Sequence, residues 1–394
     1  MNKISKKVAL YAIINFSAIH LLSAQSSLSD ADRQAIVQQV KKEVIDSLNN
    51  EPQKPIGQIS KSLSISGYLE TYYTYDFANP ENHIRQPFVY AYNRHNELNV
   101  NLALIKLSYV TENVRTNIAF MAGTYSNDNL ASEPGVMKNI YEANVGFKIS
   151  KKENLWIDAG VFTSHIGFES AVGKDCWTLT RSIMADNSPY YETGAKISYT
   201  TDNGKWFVSG LILNGWQRIY RPDGNNFPAF GHHLTYKPNS KVTINSSSYI
   251  GSDKPDTTRQ MRYFHNFYSQ FQFHEKFGMI VGFDIGAQQQ SKKSNTYNTW
   301  YAPILILKIN PTEKLSIAAR GEYYSDASGV IISTGTPNSF QTFGYSLNFD
   351  YLIHENVLWR IEGRGFSSKD KIFVLNDKPN NSNYFITTSL AISF

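Results

Sequence analysis

Between residues 63 and 394 the chain alternates short and long connections between segments whose apolar residues recur every second position. Sixteen such segments can be read. The first runs from Leu63, and the others lie near 97–110, 113–123, 140–149, 155–163, 191–200, 205–214, 230–237, 241–250, 261–273, 277–288, 298–309, 314–324, 340–352, 356–366 and 383–394. Seven connections are short: 111–113, 150–154, 201–204, 238–240, 274–276, 310–313 and 354–355. Eight are generally longer: 78–96, 124–139, 164–190, 215–229, 251–260, 289–297, 325–339 and 367–382. A soluble sandwich or propeller has no reason to keep its long loops on one side. An even-stranded barrel across a bilayer does, with short turns on one side and long loops on the other. About ten residues is also the length a tilted strand needs to cross. The expected fold is all-β: a transmembrane antiparallel β-barrel of about 16 strands.

The strand faces agree. In the last segment Tyr384, Ile386, Thr388, Leu390, Ile392 and Phe394 fall on one face, against Phe385, Thr387, Ser389, Ala391 and Ser393. One face suits lipid and the other, increasingly small and polar, suits water. In 97–110 the apolar face changes after Leu104, as a β-bulge would make it. Tyr109, Tyr199, Trp206, Tyr236, Phe277, Tyr351 and Trp359 lie beside short turns, where an interfacial aromatic girdle belongs. Gly278, Gly282 and Gly286 share one face of a strand and leave room on it. Phe394 is expected to close the cylinder against the first strand and to serve as an assembly signal.

The N-terminal region has another character. Lys3, Lys6 and Lys7 precede an apolar core over 8–22, and Ser23-Ala24 supplies small residues for cleavage. Residues 1–24 therefore read as a signal peptide, with a core too short for a comfortable membrane span. Residues 25–58 read as a short periplasmic helix and linker. Ile36, Val40, Val44, Ile45 and Leu48 recur at helical spacing, and Pro52 and Pro55 end the run. Residues 59–394 are the barrel, expected in the outer membrane of a Gram-negative bacterium with both termini periplasmic.

A formal charge of +5, or +2 without the three leader lysines, is no footprint for nucleic acid. One cysteine, Cys176, excludes an intrachain disulfide framework and a multi-cysteine metal site. Ser164 and His165 are adjacent, as are His232 and His233, so on a strand each pair points to opposite faces. No HExxH motif occurs. The expectation is no enzyme, no metal and no cofactor.

Charges on the strands carry the functional reading. An Arg or Lys facing lipid at mid-membrane costs ~2–4 kcal/mol, so strand charges belong inside. Arg360, Glu362 and Arg364 share a face, as do Arg320 and Glu322. With Arg115, Glu142, Asp158, Glu192 and Lys196 they form the expected pore lining, joined by Glu70, Lys148, Arg262 and Asp284. The two signs are nearly balanced, which predicts weak ion preference. Arg360, Glu362 and Arg364 either set the pore's field or brace the wall as an ion-pair ladder.

Short stretches add a resemblance. Gly67-Tyr-Leu-Glu70, Asn99-Val-Asn-Leu-Ala103, Trp156-Ile-Asp-Ala-Gly160 running on to Ile166-Gly-Phe-Glu-Ser170, Tyr190-Tyr-Glu-Thr-Gly194 and Asn214-Gly-Trp-Gln217 resemble the OmpL-like β-barrel porin family of Bacteroidota outer membranes. The resemblance covers about residues 60–240 well and the rest weakly. It implies a porin-type barrel with undefined cargo, and it carries no catalytic residues. General porins fold their third external loop inward. By that likeness the longest connection, 164–190, is the expected constriction, with Glu169, Lys174, Asp175, Arg181 and Asp186 as its charges. The expected function is a water-filled channel for passive diffusion of small hydrophilic solutes. The rival is a plugged, non-conducting barrel acting as a structural or surface-interaction protein. Expected partners are outer-membrane lipid, the barrel-assembly machinery, the solutes and further copies of the chain.

Overall fold

The computed structural model describes residues 62–375 and 378–394. The leader and the helix expected before residue 59 lie outside the described residues.

Sixteen antiparallel strands close on themselves. In chain order they are β1 (Leu63–Asp76), β2 (Leu98–Val110), β3 (Val114–Ala122), β4 (Ile140–Lys148), β5 (Asn154–Thr163), β6 (Tyr191–Thr200), β7 (Trp206–Leu213) and β8 (Ala229–Asn239). They continue as β9 (Val242–Gly251), β10 (Arg262–His274), β11 (Phe277–Gln289), β12 (Tyr297–Ile309), β13 (Leu315–Asp326), β14 (Phe340–His354), β15 (Val357–Ser368) and β18 (Ser382–Ser393). A small hairpin, β16 (Phe373–Leu375) and β17 (Lys378–Asn380), sits in the last long connection and takes no part in the wall. Every expected segment is a strand, with ends moved by a few residues at most, and the short–long alternation holds throughout.

Closure follows from backbone chemistry. In hydrocarbon an unpaired strand edge would expose N–H and C=O groups with no water to satisfy them, so the last strand must find the first. It does, from Tyr68 opposite Ser393 to Asp76 opposite Phe385. Phe394 continues the ladder: its carbonyl accepts from Gly67 N at 2.8 Å and its N–H donates to Gly67 O at 3.0 Å. Its ring lies over Gly67, where a Cβ would collide with the ring.

The bulge in β2 is at Asn101, three residues before the expected place. Glu70 pairs with Leu102 and Thr71 with Val100, so Asn101 is left unpaired. Asn101 and Leu102 therefore both turn inward and are fully buried.

The outer face is apolar and aromatic. Near the short turns Tyr109, Trp206, Phe277, Tyr351 and Trp359 are exposed, and Trp206 stacks on Tyr236 at 4.1 Å between ring centroids. Toward the long connections a second ring of aromatics includes Phe230, Tyr263, Tyr297, Tyr301 and Tyr384. Threonines on this face turn their hydroxyls to strand carbonyls, as Thr116 does to Asn144 O at 2.7 Å. One polar patch interrupts the belt. His232, Ser246, Ser248 and His265 satisfy one another across β8, β9 and β10. His233 points the other way, to Asn245 inside the barrel.

Third connection and the lumen walls as a candidate functional site

A sixteen-strand barrel is too wide for side chains alone to fill. Part of this lumen is filled by chain. The connection between β5 and β6 turns inward and crosses it. Residues 178–182 in its middle are at most 1 % exposed. It carries a 3-10 turn at Gly173–Asp175 and a short helix, α1 (Ile183–Asp186), capped by Ser182, which accepts from Ala185 N at 3.2 Å.

The wall formed by β13, β14 and β15 holds this loop through its backbone. Arg360 makes a two-pronged pair with Asp350, at 2.6 and 2.9 Å, and donates to Gly173 O and Cys176 O at 2.7 and 3.0 Å. Arg320 reaches Glu362 at 2.8 Å and Thr180 O at 2.7 Å. Arg364 reaches Glu322 at 2.5 Å and Arg181 O at 2.6 Å. The carboxylates take the loop's N–H groups: Thr180 N donates to Glu362 and Ile183 N to Glu322, both at 2.6 Å, while Leu179 N donates to Asn348 at 3.0 Å. Each of these charges but Asp350 thus has an opposite charge on the wall and a peptide group on the loop, which supplies most of what a desolvated ionic network requires; Arg320 Nε and Arg364 Nε are left without a hydrogen bond.

The far wall supplies the other anchors. His165 bridges Glu192 at 2.7 Å and Ser248 O at 2.8 Å. Gly167 N donates to Asn266, whose amide donates to Asp284 at 2.6 Å. Trp177 lies against Gly278, where a Cβ would come within 2.6 Å of the ring. Phe168 packs edge-on to Tyr268 and comes within 3.1 Å of the Cβ that Gly282 lacks. Gly278 and Gly282 of β11 therefore make room for this loop, and Gly286 makes room for Trp300 of β12.

The loop's charges have separate fates. Arg181 is fully buried and donates to Ser170 O, Leu179 O and Ala171 O, so it staples the loop to itself. Glu169 accepts from the N–H and hydroxyl of Ser182 and lies 3.9 Å from Arg320. Asp186 is buried, and burial pushes its carboxyl up to about 7 against the pull of Arg364 and Arg181. Lys174 and Asp175 are exposed and paired at 2.8 Å. They stand beside a recess of about 270 Å³ at the short-turn end, which Lys174, Lys308 and Asp350 help to line.

The opposite wall, β2 to β6, is arranged differently. Arg115 grips Asp158 at 2.6 and 2.5 Å and lies over Trp156. Lys106 pairs with Glu142 at 2.6 Å. Lys196 sits over the Phe162 ring at 4.7 Å. Here the Lys106 and Arg115 side chains stay 28 % and 30 % exposed.

All ten expected lining charges thus face inward, but they divide. Arg320, Glu322, Arg360, Glu362 and Arg364 are dry and bound to the loop, and Glu192 is dry and bound to His165. Arg115 and Lys196 keep part of their surface exposed, with Glu142 and Asp158 buried behind. Asp350, Asn348 and Lys106 belong to these networks and are absent from the expected lining. Ser346, Asn348 and Asp350 repeat a polar residue every second position, which was the readable signal.

The first long connection also folds in. Phe88 packs on Phe340 and Phe366, Arg85 pairs with Asp76 at 3.2 Å, and the Tyr92 hydroxyl donates to Glu70 at 2.8 Å. Its run Phe88-Val-Tyr-Ala-Tyr92 is too apolar for an exposed loop, and that too was readable.

Comparison with known proteins agrees with this geometry. The anion-selective porin of Comamonas acidovorans shares the fold at a TM-score of 0.55 and 9% identity, over 84% of this chain and 99% of that one. OmpT expressed in the outer membrane of Vibrio cholerae does so at 0.54 and 9%, over 84% and 97%. The outer membrane channel DcaP of Acinetobacter baumannii gives 0.53 and 10%, over 84% and 97%. No curated protein matches the sequence. The family model described as "Putative beta-barrel porin-2, OmpL-like" matches residues 62–394, the whole barrel. The chain therefore belongs to that family of outer-membrane β-barrel porins.

Proposed function

We propose that this porin passes small hydrophilic solutes by passive diffusion, and that the connection between β5 and β6 is its constriction. The observation that carries this reading is the division of the lumen. The loop is fastened to β13–β15, while the cationic side chains of β2–β6 stay partly open to water. A loop fixed on one side narrows a channel, and the other side remains wettable. In this reading the short turns and both termini face the periplasm, and the aromatic belts contact outer-membrane lipid. Phe394, whose backbone and ring complete the seam with β1, is the assembly signal read by the barrel-assembly machinery. Removing it should lower the folded fraction, seen as loss of a heat-modifiable band, before it changes conductance.

Single-channel recording of refolded protein in planar bilayers tests the function. Discrete conductance steps are expected, and liposome swelling with sugars of graded size then sets the cutoff. The non-conducting reading is favoured by one observation, the inward packing of the first connection through Phe88 beside the third. Correctly folded protein that gives no steps would establish it in place of the channel.

A further inference from the structure

The two signs of charge are nearly equal in number on the strands, but not in their access to water. Every Asp and Glu on the sixteen barrel strands is buried. Some are taken up by guanidinium groups, as Asp350 is by Arg360 and Glu362 by Arg320. Others are held by neutral or backbone donors in dry sites. Glu70 accepts from Tyr92, Asn101 and Ser389. Asp326 accepts from the N–H groups of Val330, Ile331 and Ile332.

Apart from Arg320, Arg360 and Arg364 under the third connection, the inward cations behave otherwise. Lys106, Arg115, Lys148, Lys196, Arg262 and Lys308 point inward and keep part of their surface in water. Among the described residues Lys148, Lys196, Arg262 and Lys308 form no ion pair. Where pairs exist on this wall, the acid is the inner member: the Glu142 and Asp158 side chains are 9 % and 5 % exposed, about a third or less of their partners. The polar residues around them, such as Asn117 and Asn144, are neutral.

We infer that the channel favours small anions over cations, because its water-facing inner surface is cationic while its carboxylates are dry. This deepens the porin reading and rests on it. The physical ground is that an ion in the lumen feels most the charges that share its water. The Debye length is ~10 Å at 0.1 M salt, so partly exposed lysines act within screening range. A low-dielectric wall then focuses their field into the passage. Buried carboxylates paired with a cation, as Glu142, Asp158, Asp350 and Glu362 are, add little net field to that water. Anionic solutes in the size range of small carboxylates and phosphate esters are the class such a lumen concentrates.

The test is the zero-current potential of the full-length protein in planar bilayers under a potassium chloride gradient. The expected chloride-to-potassium permeability ratio is severalfold above one. In the double variant Lys148→Glu, Lys196→Glu it should fall to one or below, with conductance steps still present. Neither lysine holds the third connection, and a heat-modifiable band checks that the variant folds. Steps with a wild-type ratio at or below one would overturn the anion preference and leave the porin reading standing. A ratio above one that the double variant does not move would overturn the assignment to this wall. Folded protein with no steps at all would overturn the porin reading and this inference together.

Discussion

The β13–β15 wall and the β2–β6 wall both carry inward charged residues of the two signs, yet they do different work. On β13–β15, Arg320, Glu322, Arg360, Glu362 and Arg364 are sealed under the third connection, and each is joined to it. On β2–β6, Lys106 and Arg115 pair with acids behind them and meet water in front. The difference does not lie in the strands. It lies in what the chain between β5 and β6 chooses to cover. A buried ion pair is costly unless every remaining donor and acceptor finds a partner. The loop's peptide groups supply most of those partners, all but those of Arg320 Nε and Arg364 Nε, on one side only, and so they turn that side into structure and leave the other for solute.

The largest break in this comparison comes from deleting residues 171–185. That exposes the β13–β15 charges and should raise single-channel conductance severalfold. An unchanged conductance in a folded barrel would mean that the loop does not narrow the passage. Next in size is a pair of single substitutions. Arg360→Ala strips Asp350 of its partner and frees Gly173 O and Cys176 O, all in a dry setting. A loss of ~3–5 kcal/mol is expected there, as for other buried pairs that lose one member. Arg115→Ala, on the wetted wall, should cost about 1 kcal/mol, the scale of a solvated pair. Denaturant unfolding in detergent or bilayer compares them, and equal losses would erase the distinction between the walls.

The smallest expected effect is a pH dependence. The folded-state value of Asp186, about 7, lies above the unfolded 3.8. The loop's seat gains its full contribution from this group below the unfolded value, and loses it as pH rises through about 7. Protease cleavage within the loop should therefore increase between pH 5 and pH 8. Asp186→Asn should flatten the change. A wild-type profile that is already flat would show that Arg364 and Arg181 hold the carboxyl charged throughout, in spite of Glu169 beside it.

Much of this molecule is legible without coordinates. Strand number, closure and the direction in which Arg360 or Lys196 points all follow from a period of two and from the cost of charge in lipid. The bulge was legible too, though misplaced: the apolar run through Leu104 shows that a face changes, but Asn101 and Leu102 share the inside because Glu70 needs the Asn101 amide. The inward glycines of β11 announce that something needs room. That it is Trp177 and Phe168 depends on where a distant loop lands.

What the sequence determined by itself is the cylinder, since alternation and backbone satisfaction are local rules applied sixteen times. What only the tertiary structure decided is which inward charges are wet. Arg364 and Arg115 are indistinguishable along the chain. They part because residues more than a hundred positions away from one of them, Thr180 and Arg181, fold across the lumen and bring their peptide groups to it.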